Sequence, residues 1–80
     1  MSGQKRSVSL HGHRTSVALE PEFWTIIDHY IKAHDLSLAG FIKDRDDERI
    51  LQKHPSGLAS YLRVWAVRHV QSLNNEAHMT

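Results

Sequence analysis

An arginine and a serine stand at alternate positions near the start of the chain, and an alanine occupies the next such position. Arg14, Ser16 and Ala18 share one face of a predicted strand, because side chains in a strand alternate between its two faces. The opposite face is more apolar and carries Thr15, Val17 and Leu19. A guanidinium and a hydroxyl on an exposed face are hydrogen-bonding groups, so this face is a candidate binding surface.

The basic residues of the chain's first part are not balanced by acids. The net charge is only +1, but no acid precedes Glu20. The residues before it that carry or can gain positive charge are Lys5, Arg6, His11, His13 and Arg14. The uneven distribution indicates a localised anion-binding surface. We expect residues 1–12 to form a flexible basic arm, because this segment is polar and terminal.

Catalytic and metal chemistry find little support in the sequence. Ser7, Ser9 and Ser16 lack a recognisable nucleophile context, so we expect no enzymatic activity. The spacing of His11 and His13 suits two metal ligands, but no acid or cysteine lies near them in the sequence. A solvated histidine pair is therefore the favoured interpretation, and we predict neither a metal nor a cofactor.

A single strand is not stable alone, because it leaves a row of backbone groups unpaired. We identify no second strand and no internal repeat, so the predicted partner is the same strand of a second copy. Eighty residues are also near the lower limit for burying a sufficient core, and short chains often gain burial by oligomerising. Both considerations favour a homodimer.

Two helices are predicted after the strand. Pro21 suits the first turn of a helix, and an apolar stripe follows it. The stripe consists of Phe23, Trp24, Ile27, Tyr30 and Ile31. Ser37 is a good N-cap for a second helix that begins near Leu38. The charged run from Lys43 to Arg49 indicates a solvated face, with a favourable pair between Lys43 and Asp47.

A third helix is predicted from about Leu58 to Leu73, with Ser56 as a plausible cap. It is apolar around much of its circumference, which requires burial on more than one side and again favours a dimer interface. We expect residues 74–80 to form a disordered tail, and residues 13–73 to form the folded domain.

The chain has no cysteine, and no segment resembles a secretory signal or a membrane span. A soluble cytoplasmic protein with no membrane contact is the default expectation.

Three segments follow one another along the chain: the strand Arg14–Leu19, the helix entry Glu20-Pro21 and the second helix entry Asp35-Leu36-Ser37. In the order of these segments, the chain resembles the ribbon-helix-helix family, whose members include the Arc and methionine repressors. The segment from Lys5-Arg6-Ser7-Val8 through Gly12-His13-Arg14-Thr15-Ser16-Val17 also resembles small stand-alone bacterial proteins of that family. The resemblance implies a mainly α fold. One N-terminal strand per chain would pair across an intertwined homodimer, and this chain would add a C-terminal helix.

The resemblance also implies that double-stranded DNA is the partner, with paired strands in the major groove. It assigns base contacts to Arg14, Ser16 and Ala18. Phosphate contacts are expected from Lys5, Arg6, His13, Ser37, Leu38 and Ala39. The expected dimer core consists of Val17, Leu19, Trp24, Leu62 and Trp65. An alternative places an extra helix at residues 37–53 and moves the phosphate contact to Ser56-Gly57, because the charged second helix departs from the family pattern.

Three functions remain open from the sequence. The first is a transcriptional regulator, such as a repressor, that binds DNA sequence-specifically. The second is a protein-interaction module, for example an antitoxin-like dimer with a protein partner, which the acidic second helix favours. The third is a metal-responsive regulator that uses His11 and His13.

Overall fold

The computed structural model describes residues 3–78, with side chains as far as residue 75. Two strands come first, β1 (Gln4–Leu10) and β2 (His13–Leu19). Three helices follow, α1 (Pro21–Ala33), α2 (Leu38–Leu51) and α3 (Leu58–His78). The prediction of a mainly helical fold, with a ribbon before the helices and an additional third helix, is confirmed.

The strands β1 and β2 form an antiparallel hairpin within one chain, which we call the ribbon. A two-residue turn joins them, and its residues His11 and Gly12 have φ angles of 50° and 80°. Positive φ at both positions matches a turn whose twist suits the flanking strands. The ribbon thus needs no second copy, and residues 4–10 are a strand rather than a flexible arm. Met1 and Ser2 lie outside the described residues.

The strand β1 was not predicted from the sequence, because its only two strongly apolar residues stand at its end. Val8 and Leu10 alternate with Ser7 and Ser9, and this short pattern follows Lys5. In the structure, both apolar side chains turn inward beside Val17 and Leu19 of β2. The hairpin thus adds two buried side chains to the core of a small domain, which favours pairing within the chain.

The inner face of the ribbon packs on the helices to form a single core. The largest fully buried side chains of this core are Leu19, Trp24, Ile27, Phe41, Ile42 and Leu62. The stripe predicted for α1 is confirmed, because Trp24 and Ile27 are buried and Phe23, Tyr30 and Ile31 pack against the core. Pro21 stands at the start of this helix, where its missing N–H costs no hydrogen bond.

The helix α2 begins as predicted, because the Ser37 side chain accepts a hydrogen bond from the backbone N–H of Gly40. The Lys43–Asp47 ion pair also forms, at 3.1 Å. The charged run is only partly solvated, however. Asp46 is buried and accepts hydrogen bonds from Arg49, whose guanidinium also donates to the carbonyl oxygen of Ser56. The run therefore joins α2 to the loop before α3.

The helix α3 extends past its predicted end, because it continues through His78 instead of ending near Leu73. Residues 74–78 are thus helical rather than disordered, and residues 79–80 lie outside the described part. No Gly or Pro interrupts this segment, and Glu76 and Ala77 have high helix propensity. Across residues 3–78, no helix combines the length and the apolar character needed to cross a membrane.

Candidate nucleic-acid interface

The outer face of the ribbon is built from alternate residues of both strands. It consists of Lys5, Ser7 and Ser9 from β1 and of Arg14, Ser16 and Ala18 from β2. Five of these residues are exposed, and Ala18 is half-buried. The alternation follows from strand geometry, because the inward positions between them carry the apolar residues of the core.

Three facing pairs make up this outer face. Lys5 lies opposite Ala18, Ser7 lies opposite Ser16, and Ser9 lies opposite Arg14. The hydroxyl oxygens of the two central serines are 3.1 Å apart and share a hydrogen bond. The two cations therefore stand at opposite ends of the face, with hydroxyl groups between them.

The charge on this face is not neutralised within the ribbon. Residues 4–19 contain no acid, and neither Lys5 nor Arg14 forms an ion pair with any residue that the structure describes. A face that offers two cations and three hydroxyl groups suits a polyanion or the polar edges of bases.

Arg6 takes no part in the outer face. Its guanidinium donates two hydrogen bonds to the Asp28 carboxylate, at 2.7 and 2.9 Å, and lies 4.5 Å from the centre of the Trp24 ring. These hydrogen bonds raise the pKa of Arg6 and lower the pKa of Asp28. A phosphate contact was expected from Arg6, but the structure uses it to fasten β1 to α1.

Trp24 adds a second attachment between the same two elements. Its indole N–H donates a 2.8 Å hydrogen bond to the backbone carbonyl of Gln4. Because the ring itself is buried, this bond holds the start of β1 against the helix. Arg6 and Trp24 thus hold the ribbon against α1, and neither side chain belongs to the outer face.

The turn between the strands lies beside the acidic part of α2. The Nε2 atom of His11 is 3.1 Å from an Asp47 carboxylate oxygen and 3.7 Å from an Asp46 oxygen. His13 is exposed at the first position of β2, opposite Leu10. No group of three or more potential metal ligands occurs among the residues that the structure describes.

The first turn of α2 is where the sequence predicts that a helix start contacts a DNA phosphate. Its first backbone bond runs from the Phe41 N–H to the Ser37 carbonyl, so the N–H groups of Leu38 and Ala39 precede the intrahelical pattern. Such groups bind anions at helix starts. At the alternative site, the Ser56 N–H already donates to His54 Nδ1 and the Ser56 carbonyl accepts from Arg49.

The residues expected in a dimer core lie in the chain's own core. Val17, Leu19, Trp24 and Leu62 are buried without a second copy, and Trp65 is half-buried against them. These side chains are buried within a single chain, because β1 pairs with β2 in place of a strand from a second copy. The large apolar side chains that do remain exposed lie elsewhere, in the loop before α2 (Leu36), on α2 (Ile50, Leu51) and on α3 (Val64, Val67, Leu73).

Two outer-face residues, Ser7 and Ser9, were not identified from the sequence as site residues. A short repeat in the sequence is the signal for them. Ser7-Val8-Ser9-Leu10 and Ser16-Val17-Ala18-Leu19 share their first, second and fourth residues. That similarity predicts a second strand with the same alternation as the first.

Comparison with known proteins gives one match. A family model described as a ribbon-helix-helix domain matches residues 3–70, which include both strands, α1, α2 and most of α3. No curated protein and no solved structure matches the chain.

Proposed function

We propose that this chain, which belongs to the ribbon-helix-helix family, is a sequence-specific DNA-binding protein and a transcriptional regulator. The observation that carries the proposal is the outer face of the ribbon, where Lys5, Arg14 and three serines are exposed and no acid is present. The major groove of B-DNA is about 12 Å wide and admits a two-stranded ribbon. The role is one of binding rather than catalysis, and we expect it in the bacterial cytoplasm.

Base contacts fall to the outer face in this proposal. Arg14 donates to O6 and N7 of a guanine, Ser16 bonds to a base edge, and Ala18 contacts a thymine methyl group. Phosphate contacts fall to His13 at the end of the ribbon and to the N–H groups of Leu38 and Ala39. Arg6 is withdrawn from the phosphate contacts, because Asp28 already binds its guanidinium.

A homodimer in this proposal forms through helices and not through strands. The exposed apolar side chains of Val64 and Val67 stand one turn apart on the same face of α3. A second copy that covers them would place two ribbons in one assembly. Val67→Glu is then expected to reduce the dimer fraction in sedimentation experiments, while the ribbon stays intact.

The second candidate function is the binding of another protein. The exposed apolar pair of Val64 and Val67 on α3 favours it, because neighbouring exposed apolar side chains are a candidate interaction site. A chain that remains monomeric and binds no duplex at low salt would favour this function over the first.

The experiment that tests the proposal is DNA binding at several salt concentrations, on a duplex selected from a random library and on an unselected duplex. Tight binding to the selected duplex that weakens steeply with salt is expected. Arg14→Ala should cost about 1–3 kcal/mol on the selected duplex. Lys32→Ala is the matched control, because it removes a positive charge from an exposed position of α1, outside the ribbon. Equal losses for the two variants, or no binding to either duplex, would contradict the proposal.

A further inference from the structure

The two strands of the ribbon carry the same pattern nine residues apart, as the separation of Ser7 and Ser16 shows. A shift of nine relates Lys5 to Arg14, and it relates Ser9 to Ala18. Each strand therefore presents a cation, a serine and a small residue in the same order on the outer face.

The observed register converts this repeat into a local two-fold symmetry. Antiparallel strands run in opposite directions, so an axis perpendicular to the ribbon can exchange them. Here the axis passes between Ser7 and Ser16. It exchanges the pair formed by Lys5 and Ala18 with the pair formed by Arg14 and Ser9. At every position of the outer face, the residue that the axis brings into place is therefore the one nine positions away in the sequence.

Packing explains the repeat on the inner face but not on the outer one. Val8 and Val17 are equivalent by the shift, and both are buried in the core. The inner face does not keep the symmetry throughout. Arg6 and Thr15 are related by the same shift of nine, but they differ in type, and Arg6 binds Asp28. On the outer face, Lys5 and Arg14 are exposed, so the core does not require them to match.

We propose that the ribbon of one chain is a complete DNA-reading unit, and that its site is a short inverted repeat in which Lys5 and Arg14 contact equivalent guanines on the two DNA strands. This inference rests on the proposed function. The palindromy of a DNA site mirrors the two-fold symmetry of the protein that reads it. Lysine and arginine both donate to O6 and N7 of guanine, so the two half-sites share their base preference.

The geometry of the ribbon sets the spacing of these guanines. Arg14 lies opposite Ser9, so it is four residues along the ribbon from Lys5. At about 3.3 Å per residue, this is roughly 13 Å. Base pairs rise about 3.4 Å each, so the two guanines lie about three to four base pairs apart. The half-site read by Arg14 is the stronger one, because arginine binds guanine through two fixed donors.

The test is a selection of duplexes from a random library with the wild-type chain, Lys5→Ala and Arg14→Ala. The wild-type chain is expected to select an inverted repeat with one guanine in each half. Each variant should lose the guanine preference in one half only and weaken binding to the wild-type site about ten- to a hundredfold. Lys5→Arg should equalise the two halves. Lys32→Ala, at an exposed position of α1, is the matched control that keeps the motif.

Stoichiometry completes the test. Native mass spectrometry of the Val67→Glu variant, which lacks the proposed helix contact between copies, on a duplex trimmed to the selected motif should show one chain per duplex. A requirement for two chains would overturn the proposal, and so would a Lys5→Ala variant that weakens selected and unselected duplexes equally. Either result leaves the proposed function standing, because both include DNA binding. A chain that binds no duplex overturns both the inference and the proposed function.

Discussion

The hydroxyl oxygens of Ser7 and Ser16 lie 3.1 Å apart on facing strands, at the centre of the outer face of the ribbon. Both residues are exposed, and either hydroxyl can be the donor. Because hydroxyl groups rotate freely, one or both can turn toward a DNA base without any change in the backbone. The bond between them links the strands at the point where the proposed two-fold axis passes.

Ser7→Ala and Ser16→Ala are expected to have equal effects, because the axis exchanges the two positions. Each should reduce DNA affinity, yet each should change the free energy of unfolding by less than about 0.5 kcal/mol, because the hydrogen bond is exposed to water. Urea unfolding and a binding titration on the selected duplex measure the two quantities. A large stability loss, or a binding loss in one variant only, would count against this role.

The N-cap of α2 predicts a non-additive double mutant. A Cβ atom at Gly40 would lie 2.9 Å from the Ser37 Oγ, which accepts the Gly40 N–H. Ser37→Ala should therefore destabilise the chain by about 1 kcal/mol through loss of the cap. Gly40→Ala should gain up to about 1 kcal/mol of helix propensity only in the Ser37→Ala background, where no Oγ is in the way. Urea unfolding of the wild-type chain, the two single variants and the double variant measures these free energies. Additive effects of the two substitutions would refute the prediction.

The hairpin turn makes Gly12 sensitive to substitution. Its φ angle is 80°, and nothing lies within 4 Å of an added Cβ, so the cost of Gly12→Ala is conformational. We expect a loss of about 1 kcal/mol. Gly12→Asn is the matched control, because asparagine adopts the left-handed region more readily than alanine does. Thermal unfolding should therefore separate the two variants, and equal melting temperatures would contradict the observed turn.

The ion pair between Arg6 and Asp28 predicts a pH dependence of stability. The hydrogen bonds from Arg6 hold the pKa of Asp28 below its ordinary value. Its stabilisation is therefore fully present above the unfolded-state pKa of about 3.9 and is lost as the pH falls through the lower folded-state pKa. Both side chains are more than a third exposed, so the contribution is about 1 kcal/mol or less.

The measurement is the difference in unfolding free energy between the wild-type chain and Asp28→Asn at neutral pH and near pH 2. This difference should be present at neutral pH and should become smaller as the pH is lowered toward 2. Asp44→Asn removes the same charge from an exposed position of α2 and serves as the control. A difference for Asp28→Asn that persists unchanged at low pH would show that the ion pair is not its cause.

The helices were predictable because their signals are local. Pro21, the apolar spacing that includes Trp24 and Ile27, and the Ser37 cap each act within a few residues of chain. The outward alternation of Arg14, Ser16 and Ala18 was equally local, and the structure keeps it.

The role of Arg6 was not predictable in the same way, because its partner Asp28 is 22 residues away and meets it only after the hairpin has folded onto α1. The burial of Asp46 depends likewise on Arg49 and the loop before α3. The strand β1 was missed for a different reason. Its pairing with β2 is nearly local, and the repeat at Ser7 and Ser16 signals it, but the basic residues before it suggested a solvated arm.

The most direct test of the outer face as the DNA-binding surface uses a single introduced thiol, because the chain has no cysteine. Ser16→Cys would be mixed with a duplex that carries a disulfide-activated thiol tether in the major groove of the selected site. Ser60→Cys, at an exposed position of α3, is the control. We expect rapid cross-linking of Ser16→Cys and none of Ser60→Cys. Retained binding with cross-linking at residue 60 and not at residue 16 would contradict it.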